Sequence, residues 1–240
     1  MKCEESVLSH HACSQGDTFD DTACRPATLY ARFGKRILDV VGAVALLVVL
    51  SPLVILTAIA VAMVSGRPIL FRDRRAGLDG VPFTLLKFRS MRETRGPDGM
   101  PLPDAVRLTA IGRFLRQTSL DELPQLWCVL SGSMSLVGPR PLPLRYVQRY
   151  SPRQSRRLLV RPGLTGWAQT RGRNTLDWST RLSLDADYVG RLGQPGGLLL
   201  DLRILAATVT QVCRQAVTGH GVNAPGHATM HEFLGCENRL

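Results

Sequence analysis

The chain has 240 residues, 45% of them hydrophobic, and a formal net charge of +11, enough material for one or two domains and a composition that argues against a plain soluble enzyme. Lysine occurs only at Lys2, Lys35 and Lys87, so the excess is arginine; the guanidinium fork holds phosphate or carboxylate at two points, which suggests phosphorylated partners, although an arginine-rich genome explains the excess equally well. The cysteines at 3, 13, 24, 128, 213 and 236 form no C-x-x-C pair and no zinc or disulfide spacing, which excludes a disulfide framework and reads as free thiols in a reducing compartment.

Residues 1–28 are polar and carry Glu4, Glu5, Asp17, Asp20 and Asp21; they are expected to form a disordered cytoplasmic tail, and Cys3, Cys13 and Cys24 lie too irregularly beside His10 and His11 for a metal site. From Ile37 to Val64 the chain is almost wholly apolar and has no aromatic residue, a run long enough for a bilayer. Ser51-Pro52 falls near its midpoint, where proline removes a helix hydrogen bond and leaves two arms of roughly 12 to 14 residues, each too short to span. Arg32, Lys35 and Arg36 precede the run and Arg67, Arg72, Arg74 and Arg75 follow it; cations at both ends favour a re-entrant hairpin with both ends cytoplasmic over a proline-kinked span. Asp39 is expected to be held by Lys35 or Arg36 at the interface. Ala60-Val61-Ala62 imitates a signal-peptidase site, but the apolar run is too long and starts too late for a leader.

Two β-prone stretches, Ile69 to Arg75 and Val81 to Arg89, flank Asp79-Gly80, a hairpin signal. "RGPDGMPLPD" is a loop, and "AVRLTAIGRFLRQ" has helical spacing interrupted by Gly112. A basic helix is expected around Pro143 to Val160, turns over "RPGLTGWAQTRGRN", a helix from Asp177 to Val189, and an amphipathic one over "GLLLDLRILAATVTQVCRQAV" that either lies on a membrane or faces the core.

The segment "TSLDELPQLW" sets Asp121 beside Glu122. Ser119-x-x-Glu122 matches a capping box, but that places Pro124 where its ring and missing N–H damage the helix. Starting the helix at Pro124 removes the conflict and puts both acids on the approach to a helix N-terminus. Adjacent side chains point apart, so the two carboxylates have separate tasks, for instance holding Mg²⁺ and attacking phosphorus; Lys87, Arg89, Arg116 and Arg140 are candidate cations for a phosphate. A pair of merely solvated acids is the plain alternative.

Taken in order, Lys35-Arg36 with Asp39, the Ser51-Pro52 break, "KFRSM", "LRQTSLDELPQLW", "MSLVGPRP" and "RPGLTGWAQTRGRN" resemble the bacterial sugar transferases, the small monotopic phosphoglycosyl transferases, over roughly residues 30 to 235. The resemblance implies an α+β, monotopic membrane protein: a re-entrant helix at 29–66, a cytoplasmic catalytic domain at 67–217 with a small β-hairpin and interfacial amphipathic helices, and a C-terminal extension at 218–240. It implies transfer of a phosphosugar from a UDP-sugar to undecaprenyl phosphate with release of UMP, starting a surface glycan on the cytoplasmic face of the bacterial inner membrane. Asp121 would be the nucleophile, Glu122 would bind Mg²⁺ or Mn²⁺, and Lys87, Arg89, Arg116, Pro139 and Arg140 would form the phosphate and nucleotide site. No nucleic acid is implied; a homodimer and downstream glycosyltransferases are open as partners. Cys128 and Asp73 depart from the family's usual asparagine and glutamine. An inactive scaffold and a basic membrane-anchored module are the competing readings. His220, His227 and His231 are read as surface or packing residues.

Overall fold

A computed structural model describes residues 25–26, 28–100, 102–172, 175–218 and 232–235; most of the expected tail, and His220, His227 and His231, lie outside these. The fold is α+β. A π-helical turn, Tyr30–Gly34, leads into α1 (Lys35–Val49), and α2 (Ser51–Ser65) follows at a 65° bend. The arms are 15 residues each, slightly longer than expected, yet at about 1.5 Å per residue neither reaches the roughly 30 Å of a hydrocarbon core. Pro52 sits in the first turn of α2, where its absent N–H leaves no bond unmade. Among the described residues no single helix is long and apolar enough to cross a membrane; the bent pair passes that test together.

Strands β1 (Leu70–Ala76) and β2 (Pro82–Phe88) pair antiparallel, with Leu70 opposite Phe88 and Ala76 opposite Pro82. Asp79 and Gly80 take positive φ as their signal requires, in a loop closed by Gly77 N donating to Val81 O at 2.9 Å. After the short α3 (Asp104–Arg107) comes α4 (Ala110–Thr118), capped by Thr109 Oγ1, which accepts from Gly112 N at 2.9 Å. Gly112 is therefore not an interruption but a close approach: a Cβ there would meet Ser90 O at 1.8 Å.

Helix α5 (Gln125–Leu130) precedes β3 (Ser135–Val137), which pairs in parallel with β4 (Gly163–Thr165). The turn-rich reading of "RPGLTGWAQTRGRN" did not anticipate β4, because three residues are too few to show alternation. The basic helix expected over 143–160 is instead three pieces: a 3-10 turn at Leu144–Arg149, α6 (Pro152–Ser155) and a 3-10 turn at Arg156–Leu159. Pro152 holds Ser151 extended, and Ser151 with Gln154 forms a capping box that restarts the helix. Then follow α7 (Trp167–Arg171), α8 (Trp178–Leu192, capped by Asp177) and α9 (Gly197–Thr218).

The core gathers Ala43 of α1, Leu126 and Val129 of α5, Val137 of β3, and Tyr188 and Leu192 of α8. Inside it runs a polar joint. Lys35 Nζ donates to Asp201 Oδ2 at 2.6 Å and to Tyr188 OH at 3.0 Å; Tyr188 OH donates in turn to Asp201 Oδ1 at 2.9 Å, and Tyr30 OH also reaches Asp201. Asp39 makes no direct bond to Lys35 or Arg36, although the Lys35 charge acts on it. Its Oδ1 accepts from Ser135 Oγ and Leu136 N, both at 2.9 Å, while Arg36 caps the end of α5 at Val129 O and Leu130 O. Lys35 is already committed to Asp201 and Tyr188, and Arg36 to the carbonyls ending α5, while the Leu136 amide takes its acceptor from Asp39. Replacing Asp201 by Asn strands the Lys35 ammonium; stability falls by about 3 kcal/mol, read as a Tm roughly 10 °C lower in detergent. An unchanged Tm would remove the joint from the account of the fold.

Candidate active site

Asp121 and Glu122 occupy a single 3-10 turn, Leu120–Glu122, between α4 and α5. Ser119 ends α4 at φ 61°, and its side chain makes no cap bond to the turn, so the capping box is absent. Pro124 stands immediately before α5 at φ −61°, one residue earlier than the sequence places it relative to the helix start, and its missing N–H again falls where none is needed. The left-handed Ser119 turns the chain back so that the two acids face β2 and the segment after β3.

Lys87 Nζ of β2 lies 2.8 Å from Glu122 Oε1 and 4.0 Å from Asp121 Oδ2. Arg140 Nη2 donates to the same Glu122 Oε1 at 2.7 Å, with Nη1 3.5 Å from Oε2. Arg116 Nε donates to Ser90 Oγ at 3.0 Å, and its charge also acts on Asp121. Pro139 O accepts from Gly163 N at 2.9 Å, which fixes the backbone that carries Arg140. Arg89 does not join this group: its guanidinium pairs with Glu93 and reaches Arg67 O.

The two carboxyls titrate apart. Burial pushes Asp121 up from an ordinary 3.8 to about 6, the neighbouring Glu122 charge adds to this, and Lys87, Arg140 and Arg116 hold it back. Burial acts on Glu122 in the same direction, but Arg140 and Lys87 outweigh it and keep that carboxyl well below the usual range. Glu122 is thus a fixed anion that organises two cations, and Asp121 is a desolvated carboxylate with no strong partner, the state that suits a nucleophile.

Asp73 pairs with Arg75 along its own strand, and Cys128 packs in the core with Sγ 3.6 Å from Thr84 O, burial pushing its thiol up. Both departures therefore lie away from the acids. Sequence reasoning missed Ser90, Arg157, Asp185 and Arg181, which back the site. Arg181 is buried and its guanidinium is lowered to about 10, by burial first and then by the like charge of Arg140. A buried arginine leaves no periodic mark, but Asp185 and Tyr188 sit three apart within "LDADYV", a spacing that sets both on one helix face.

An α+β domain with an acid pair ringed by Lys87, Arg116 and Arg140 beside an apolar helical hairpin has the charge arrangement that phosphoryl transfer calls for. The profile of the bacterial sugar transferases matches residues 30–215. The chain is 44% identical over 201 residues to an uncharacterised sugar transferase, EpsL, of Bacillus subtilis, covering 84% of this chain and 96% of the relative. It is 44% identical over 185 residues to the UDP-glucose:undecaprenyl-phosphate glucose-1-phosphate transferase of Caulobacter vibrioides, covering 73% and 68%, and 38% identical over 202 residues to the undecaprenyl-phosphate galactose phosphotransferase of Salmonella typhimurium, covering 77% and 41%. The chain belongs to the bacterial sugar transferase family and is a transferase enzyme.

The raised Asp121 has a consequence for folding. Its protonated form is favoured in the fold, so its contribution is most favourable below pH 4, diminishes as pH rises towards 6, and is fully unfavourable above that. The interval from 3.8 to about 6 corresponds to about 3 kcal/mol at most. Asp121→Asn is therefore expected to raise the Tm at pH 7.5 and to flatten its pH dependence between 4 and 6; a lower Tm would contradict the desolvated carboxylate.

Proposed function

We propose that this enzyme moves a sugar 1-phosphate from a UDP-sugar to undecaprenyl phosphate, releasing UMP, through a covalent intermediate on Asp121. The observation that carries the reading is the geometry of the acid pair: Lys87 and Arg140 both close on Glu122 Oε1 at 2.8 and 2.7 Å, while Asp121 Oδ2, among the described residues, has only Lys87 at 4.0 Å, a contrast that the opposite shifts of the two carboxyls reflect. In the first step an Asp121 carboxylate oxygen bonds to the phosphorus that bears the sugar, the bond from that phosphorus to the bridging oxygen breaks, and UMP leaves with that electron pair. In the second step a phosphate oxygen of undecaprenyl phosphate attacks the same phosphorus and Asp121 departs as carboxylate, leaving undecaprenyl diphosphate sugar. Lys87 and Arg140, already fixed on Glu122, are placed to take up pyrophosphate charge. The names of the relatives divide between glucose and galactose, which favours a hexose donor.

Among the described residues no three His, Cys, Asp or Glu side chains come together as a metal cage. The anionic Glu122 nevertheless fits Mg²⁺ or Mn²⁺, since Mg²⁺ is commonly held by one or two carboxylates and substrate phosphates, and Oε2 has only the long 3.5 Å contact to Arg140. Bound there, the ion would neutralise charge on the donor's pyrophosphate.

The same reading places the protein at the cytoplasmic face of the bacterial inner membrane, with α1 and α2 as the re-entrant hairpin, initiating a surface glycan. Support comes from Ile37, Val41, Val48, Leu56 and Met63, which stand exposed on the bent pair, and from Leu198, Leu199 and Val209 on the outer side of α9; apolar faces this continuous call for a lipid surface.

Asp121→Asn should reduce UMP release from a panel of UDP-hexoses by roughly 1,000-fold or more while the protein stays folded. Because the attacking group must be ionised, wild-type kcat/KM should rise through pH 6 and level off above it; a profile flat from pH 5 to 8 would count against Asp121 as the nucleophile. Excess EDTA should abolish turnover and Mg²⁺ restore it. Pro52→Ala should straighten the hairpin, and cysteine-accessibility labelling should then find part of the population with its two ends on opposite sides. Both ends remaining cytoplasmic would show that proline does not set the bend.

A further inference from the structure

Phe233 is 4% exposed, although the short segment around it, 232–235, belongs to no helix or strand. Its ring meets Trp178 at 5.5 Å, Tyr146 at 5.7 Å and Tyr150 at 6.0 Å between centroids. The backbone is held as well: Phe233 N donates to Tyr146 OH at 3.2 Å, Arg149 Nη1 donates to Phe233 O, and Glu232 Oε1 accepts from Arg145 and Arg149. An acidic-aromatic pair is seated in an aromatic box with a basic rim.

Arg157 links the box to the active site, beside Arg181, which stacks over the Trp178 ring. Arg157 Nη1 donates to Tyr150 OH at 2.8 Å, its Nε and Nη2 donate to Asp185 Oδ2 at 3.2 and 2.9 Å, and Nη2 also donates to Arg140 O at 2.6 Å. The side chains of Arg157 and Asp185 are 2% and 3% exposed. Isolating this pair from water is unfavourable unless the whole fork is satisfied, and here the fork's partners include the backbone of the residue whose guanidinium holds Glu122. That backbone has little slack, because prolines 139 and 141 flank it and fix the backbone on either side.

We propose that Glu232-Phe233 is a clasp which, through Tyr150 and Arg157, positions Arg140 for the donor's phosphates. Arg157 and Phe233 are positioning residues; neither touches the acids. The proposal rests on the phosphate-binding role given to Arg140 above and adds a region that this role does not require. A loosened clasp lets Tyr150 shift, Arg157 loses one of its fixed ends, and the Arg140 guanidinium samples orientations away from Glu122.

The test is a binding cycle on the full-length protein with UDP as probe, alongside UMP release and thermal unfolding. Phe233→Ala should weaken UDP binding about tenfold, the loss of a charge-assisted contact, and Phe233→Leu, which keeps the box filled, should restore most of it. Tyr150→Phe, which removes only the hydroxyl that Arg157 reaches and leaves the packing intact, should shift binding in the same direction and keeps the test decisive should Phe233→Ala unfold. Each variant combined with Arg140→Ala should bind no more weakly than Arg140→Ala alone, since a merely structural effect would multiply with it. Wild-type affinity in folded Phe233→Ala or Tyr150→Phe, or multiplying effects in the double variants, overturns the clasp. A wild-type protein that binds UDP but releases no UMP from any donor overturns the transfer reaction and leaves the binding cycle to decide the clasp. Wild-type protein that does not bind UDP overturns both.

Discussion

An ammonium taken out of water is tolerated only where its charge is matched, and Lys35 finds that match by joining its own helix α1 to α9 through Asp201 and to α8 through Tyr188. Tyr188 OH also lies 3.2 Å from Val137 O, at the end of β3, and Asp39 one turn along α1 binds the start of the same strand. The apolar hairpin is therefore attached to the catalytic domain by directional bonds and not by apolar contact alone. This matters because α2 is apolar all round and would otherwise have no preferred rotation against the domain. Hydrogen bonds of fixed direction supply the angle that hydrophobic packing leaves undetermined.

From β3 the same order is handed on to the site. Gly138 N donates to Thr165 O and Pro139 O accepts from Gly163 N, at 2.8 and 2.9 Å, so the chain enters Arg140 along a parallel pair too short to count as a sheet but sufficient to fix its course. Gly138, Gly163 and Gly166 allow this: a Cβ on Gly163 would lie 2.1 Å from Gly138 N, and one on Gly166 would lie 2.2 Å from Gly138 O. The glycines of "LVGPRP" and "PGLTGW" are thus close-approach positions, and what they bring together is the backbone behind Arg140, whose guanidinium holds Glu122.

Much of the local structure was legible because it has a local cause. The Asp79-Gly80 turn, the Ser51-Pro52 break, the Asp177 start of α8 and the amphipathic α9 each follow from residues within a few positions of the feature. The acid pair was legible as chemistry, and Lys87, Arg116 and Arg140 were brought to it as expected. What escaped the sequence depends on partners far along the chain. Arg89 carries the same charge as Lys87 two residues before it, yet Glu93 four residues away captures it. Asp39 had two cations nearby in sequence and bonds directly to neither; it accepts from Ser135 and the Leu136 amide, nearly a hundred residues on. Asp201, a lone acid among leucines, was the overlooked signal: a charge on an apolar helical face demands a buried partner.

The electrostatics of the site also explain why Glu122 is spent on holding cations. Three cations, Lys87, Arg116 and Arg140, act on Asp121, against the two carboxylates of the pair, so the cluster carries about one net positive charge when Asp121 is ionised. Without Glu122 that excess would be larger and would pull Asp121 down toward the ordinary carboxylate range, giving a weaker nucleophile and leaving Lys87 and Arg140 free to spread apart by mutual repulsion. With Glu122 the cations converge, Asp121 stays high, and the residual charge still favours an anionic donor. Under the proposed reaction the neighbouring acid thus contributes before any metal arrives: it sets both the position of the phosphate ligands and the basicity of the group that attacks.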